Sequence, residues 1–77
     1  MSTRESIVNI LKQIKPTIDL ENKSNIIDGG YLDSLELMTL ISALMETFCI
    51  ELDVDWITPE NFNSINAIAS LIDRIKG

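Results

Sequence analysis

Residues 49–56, CIELDVDW, alternate apolar and acidic side chains, and whether they form a strand decides the class of the fold. Alternation with a period of two is the mark of a half-buried strand. A strand is stable only when paired, and nothing else in the 77 residues reads as a convincing second one. The segment is therefore expected to run as an extended loop with Ile50, Leu52, Val54 and Trp56 turned inward. That leaves an all-α protein.

Upstream of this loop lies the clearest helix, residues 34–48, SLELMTLISALMETF. At the helical period, Leu37, Leu40, Ile41, Leu44 and Phe48 share one face and should enter the core. Leu35 and Ser42 point roughly the other way, with Met38 and Met45 on a flank. That flank is a second apolar stripe. It either packs against another helix of the domain or offers flexible methionine to partners; spacing alone favours the first. Downstream, Thr58-Pro59-Glu60 is a helix-start signal that can support a turn or two before Asn63-Ser64 supplies a fresh cap. A last helix then covers residues 65–75, aligning Ile65, Ile68, Ala69, Ile72 and Ile75, and Gly77 ends the chain.

Residues 2–15 read as a helix opened by a Ser2/Glu5 capping box, with Ile7, Ile10, Leu11 and Ile14 on one face. Lys12 and Lys15 suit its C-terminal end, and Pro16 stops it. The intervening residues 16–33 show no sustained period. Loops this long in compact domains are usually organised, and Ile18, Leu20, Ile26, Ile27 and Leu32 are apolar enough to pin this one to the core. The sum is three substantial helices and one short one around a single core, one domain over residues 1–77.

The inventory of side chains excludes most catalysis. With no histidine there is no Ser-His or Cys-His pair and no zinc site of the Cys/His type. Gly29-Gly30 lacks the spacing of a phosphate loop. The acidic run from Asp53 to Glu60 fails as a calcium loop, because Ile57 and Thr58 stand where an oxygen ligand and a glycine are required. The one cysteine, Cys49, lies between Phe48 and Ile50 and is expected to be a buried, inert thiol. A lone cysteine without a secretory leader or a membrane-length apolar run points to the cytoplasm. Twelve acids against six bases, net −6, disfavour nucleic acid and anionic membranes and favour soluble partners with basic patches. The chain reads as a monomer and not as an enzyme, with no resident metal.

Ser34 remains. A serine or aspartate before an apolar helix is usually a cap, and either Asp33 or Ser34 could be explained that way. The same position also tolerates a phosphate diester best, since a helix N-terminus presents N–H donors and the positive end of the dipole.

In this order of features the chain resembles the acyl carrier proteins, including the aminoacyl and peptidyl carrier domains. The resemblance covers essentially the whole length. It rests on Leu32-Asp33-Ser34-Leu35 at the start of the second helix and on the apolar pattern through Leu37, Leu40, Ile41, Leu44, Phe48, Ile50 and Leu52. Ile57-Thr58-Pro59-Glu60-Asn61-Phe62 and Ser64-Ile65 complete it. It implies a small four-helix bundle of acyl-carrier-protein type with a long first loop. It also implies that a phosphopantetheinyl transferase joins 4'-phosphopantetheine from coenzyme A to Ser34, and that the terminal thiol of this arm then carries an acyl or aminoacyl group as a thioester. Asp33 would help orient the Mg²⁺ that belongs to the transferase complex. Leu35, Met38 and more weakly Met45 match partner-contact positions, and Glu36 and Glu46 match acidic positions used for steering.

Two features depart from the family pattern. Thr39, Met45 and Thr47 stand where fatty-acid carriers often have acids, a thinner row more like carriers dedicated to one pathway and served by an adenylate-forming ligase. Cys49 replaces the glycine that often follows the helix-end phenylalanine. The alternatives are a housekeeping fatty-acid carrier loaded by an acyltransferase, and an unmodified helical adaptor in which Ser34 is only a cap.

Overall fold

Three of the four α-helices begin at a residue whose side chain accepts a backbone N–H from the first turn, which fixes where each one starts. In the computed structural model, which describes residues 2–77, α1 spans Thr3–Ile14, α2 Ser34–Phe48, α3 Pro59–Phe62 and α4 Ile65–Lys76. Ser2 caps α1, its Oγ accepting from Glu5 N at 3.1 Å. Ser64 caps α4 in the same way, accepting from Ala67 N at 3.0 Å. Asp33 caps α2. Thr58 makes no side-chain bond to α3; there Pro59 opens the turn, its fixed φ suited to a first helical position where no N–H is needed.

α1 packs against both α2 and α4, and α3 lies on α4. Ile7, Ile10 and Leu11 of α1, Leu40 and Leu44 of α2, Phe62 of α3, and Ile65, Ile68, Leu71 and Ile72 of α4 are all buried. Leu37, Ile41, Phe48, Ile14, Ala69 and Ile75 flank them, partly buried. The expected faces of the helices are the faces that meet. Phe62 and Leu71 belong to the centre of the core as well, which spacing had not indicated.

The long loop between α1 and α2 is ordered, as its apolar residues required. Leu20, Ile26 and Leu32 are buried. What fastens it is a polar peg. The Asn63 carbonyl accepts from Ile26 N at 2.8 Å, and its side-chain Oδ1 accepts from both Ile27 N and Asp28 N at 3.0 Å. Its Nδ2 donates to Asp28 Oδ2 at 3.0 Å. The end of α3 and the loop are thereby locked together. Gly29 serves this packing: a Cβ there would sit 2.7 Å from the Asn25 carbonyl oxygen, closer than real side chains come.

Two expectations for residues 49–56 are corrected. There is no strand among the described residues, as expected, but the inward alternation stops at Leu52. Residues Val54–Trp56 instead form a 3₁₀ turn capped by Asp53, whose Oδ1 accepts from Asp55 N at 3.0 Å. Three residues per turn break the period of two, so Val54 and Trp56 face outward, 76% and 41% exposed. Cys49, expected to be buried, is exposed. It occupies the residue just past α2 in the left-handed region, φ 54° and ψ 48°, and there the chain swings away from the core. The helix end is sharply turned even without glycine, with Ile50 N donating to Met45 O at 3.1 Å.

That backbone conformation crowds a Cβ against the carbonyl and is relaxed only in glycine. Cys49→Gly should therefore raise stability by about 1 kcal/mol despite the flexibility it adds to the unfolded chain. Thermal melting under reducing conditions checks this; a lower melting temperature would show that the thiol contributes more than the strain removes.

Candidate functional site

α2 opens on a complete capping box. Asp33 Oδ1 accepts from Glu36 N at 2.7 Å, and Glu36 Oε1 accepts from Asp33 N at 3.0 Å. Each carboxylate satisfies a backbone donor that the helix itself cannot, and both bring negative charge to the positive end of the dipole. Ser34 is the first residue of the helix proper, and it is exposed. The box is closed by its neighbours, so the Ser34 hydroxyl is left outside it. Of the two residues that could have been the cap, the structure assigns the task to Asp33.

The rest of the helix start is braced from α1. Lys15, the residue that ends α1, places Nζ 3.0 Å from Glu36 Oε2, with both side chains about a quarter exposed. One carboxylate therefore holds the Asp33 backbone with one oxygen and the end of α1 with the other. Lys15 was expected only to complement its own helix dipole. Its partner lies 21 residues further on, and no local spacing in the sequence announces such a pair.

Beyond the cap, the outward face of α2 carries Leu35, 73% exposed, and Met38, 65% exposed. The bland expectation, that the flank stripe packs against another helix, fails for Met38: the core takes Leu40 and Leu44 from α2 and leaves this side to solvent. Met45 is half-buried and Glu46 is exposed. Thr39 is also exposed, its hydroxyl donating to Leu35 O at 3.0 Å. Two surface hollows lie elsewhere. One of about 460 Å³ sits between Leu11, Lys12 and the loop residues Ile18 and Asp19. Another of about 380 Å³ is bordered by Trp56, Asn61, Arg74 and Ile75. Neither is lined by Ser34.

The family model described as the phosphopantetheine attachment site matches residues 4–72, nearly the whole chain. The protein belongs to the phosphopantetheine-binding carrier family. No curated protein and no solved structure gives a significant match. The all-helical bundle and the long ordered loop before α2 agree with what the resemblance implied. Carrier domains of this family hold 4'-phosphopantetheine covalently on a serine and work with phosphopantetheinyl transferases and biosynthetic enzymes. The start of α2 in this carrier suits such a group: an exposed hydroxyl in the first turn, backbone N–H groups beside it, and no buried side chain that an attachment would displace. Among the described residues, no helix is long and apolar enough to cross a membrane.

Proposed function

We propose that Ser34 is the attachment residue and that the chain carries an acyl or aminoacyl group for a specialised pathway. The single observation behind this reading is the exposed Ser34 hydroxyl left free of the Asp33–Glu36 capping box. A serine that served only as a cap would have its Oγ on a backbone N–H, as Ser2 and Ser64 do. That contrast weighs against an unmodified adaptor. When bound, the phosphopantetheine group supplies a flexible arm whose thiol holds cargo as a thioester.

The chain's own residues have three tasks in this reading. Ser34 Oγ is the nucleophile that the transferase directs at the pyrophosphate of coenzyme A. It loses its proton as the phosphodiester forms, and the pyrophosphate P–O bond breaks to release adenosine 3',5'-bisphosphate. Asp33, whose Oδ1 is committed to the cap, has its other oxygen to help orient the Mg²⁺ of the transferase complex. Leu35 and Met38 offer apolar contact to partners, with Met45 at the margin, and Glu46 supplies the acidic signal that steers them. Both oxygens of Glu36, by contrast, are taken up by the cap and by Lys15. The sparse acids along α2, where Thr39 and Thr47 are exposed, favour loading by an adenylate-forming ligase over a fatty-acid acyltransferase. The chain would act alone as one carrier domain, in the cytoplasm.

The test is direct. Unmodified protein is incubated with coenzyme A, Mg²⁺ and a broad-specificity phosphopantetheinyl transferase, and the intact mass is read. The expected result is a gain of one phosphopantetheine, mapped to Ser34 and absent from a folded Ser34→Ala variant. No gain, with a known carrier modified in the same tube, would overturn the assignment.

A further inference from the structure

The ion pair between Lys15 and Glu36 carries an inference that rests on Ser34 as the attachment residue. Asp33 and Glu36 already place two carboxylates within one turn of α2, flanking Ser34. A phosphodiester on Ser34 would add a third negative charge to that turn. The helix dipole offsets part of the repulsion, but its effect is small and falls off within the first turn. The side-chain cation held against this cluster is Lys15, 3.0 Å from Glu36 Oε2. It comes from a different helix, and the pair is about three-quarters buried on each side, so salt screens it less than a surface pair.

We propose that Lys15 is the positioning residue of the attachment site. It neutralises the outer oxygen of Glu36 so that the capping box stays closed when an anion is carried at Ser34. Without it the carboxylate that holds the Asp33 N–H would be repelled by the new phosphate, and the first turn of α2 would open at the point where the arm is anchored. α1 therefore does more than pack: the residue that caps its C-terminal end tunes the charge of the site on the next helix. The role is electrostatic and belongs to the loaded state more than to the bare one.

A thermodynamic cycle separates this from a plain structural contact. Native protein and Lys15→Gln are each melted before and after modification with phosphopantetheine, and the change on modification is compared between them. A merely structural Lys15 would lower both forms equally, because effects of uncoupled sites add. The expected result is that modification lowers the melting temperature of Lys15→Gln by at least about 3 °C more than it does in the native chain. The excess should shrink in high salt and vanish in Lys15→Arg. Equal shifts in native and Lys15→Gln would overturn the proposal. A second cycle, with Ser34→Glu as the anion in place of the modification, keeps the two readings apart. If the transferase adds nothing to the native chain, the attachment assignment falls, and this cycle alone decides Lys15. Coupling of the same sign then supports Lys15 as the group that keeps the cap closed against an anion at position 34, and strict additivity overturns it.

Discussion

Phe62→Ala is expected to leave the chain at the edge of unfolding at room temperature. The ring is 1% exposed and is among the largest side chains wholly inside the protein. Removing a buried phenylalanine costs about 3–5 kcal/mol through lost transfer energy and the cavity left behind. A domain of this length has roughly 4–12 kcal/mol of stability in all. The position makes matters worse than the volume alone. α3 is four residues long, too short to hold itself together, and its side-chain anchor is this ring against α4. Without the ring, α3 has little reason to exist, and Asn63 at its end loses its place. Urea unfolding followed by far-ultraviolet circular dichroism measures the loss. Phe62→Leu should recover a good part of it, whereas a cost under about 1 kcal/mol for the alanine variant would mean the core closes over the gap.

Asn63→Ala should produce the second-largest effect, and a more local one. The side chain accepts two backbone N–H groups of the long loop and donates to the Asp28 carboxylate. Cutting it away strands the Ile27 and Asp28 amides, one of them partly buried, at a cost of about 2 kcal/mol. The loop can no longer be held to α3 by more than the Asn63 backbone carbonyl. Amide hydrogen exchange should therefore quicken at Ile27 and Asp28 well before it changes in α1 or α4. Asn63→Asp is the informative companion: it keeps an acceptor for the two amides but sets a carboxylate against Asp28. Exchange at those amides unchanged in Asn63→Ala would place the loop's stability in Leu20, Ile26 and Leu32 alone.

The three long helices were legible in the sequence because each one announces itself twice, by an apolar period and by a cap. Ser2, Asp33-Ser34 and Ser64 mark starts, and Ile7 to Leu11, Leu40 to Leu44 and Ile65 to Ile72 mark the buried faces. The loop before α2 was legible as ordered, because five apolar residues in a polar segment must go somewhere. What holds it was not. Asn63 was read as a helix boundary, and its contact with Ile27 and Asp28 spans more than thirty residues with no periodic trace. The failure at Val54 and Trp56 has a different source. Alternation is a backbone argument that assumes extended geometry, and one Asp53 side chain bonded to Asp55 N is enough to replace that geometry with a turn. Cys49 was misplaced for want of a backbone angle: its apolar neighbours suggested burial, but it stands in the left-handed region just past α2 and is exposed. At the candidate site, an exposed Ser34 at the start of α2 was legible and the distribution of labour around it was not. Sequence alone allowed Asp33 or Ser34 as cap; the box between Asp33 and Glu36 decides it, and the Lys15 brace needed three dimensions to be seen.

The outward 3₁₀ turn has an optical consequence. The chain has one tryptophan, and its indole stands on that turn, partly in water, while the helices close around a core made of aliphatic side chains and Phe62. Its emission in the native state should already lie towards that of a hydrated indole, so melting the core will shift the spectrum little. Fluorescence is thus a poor thermometer for this fold. The same placement makes Trp56 a sensitive reporter of anything that comes to rest in the hollow it borders with Asn61, Arg74 and Ile75, with no label attached and no residue changed.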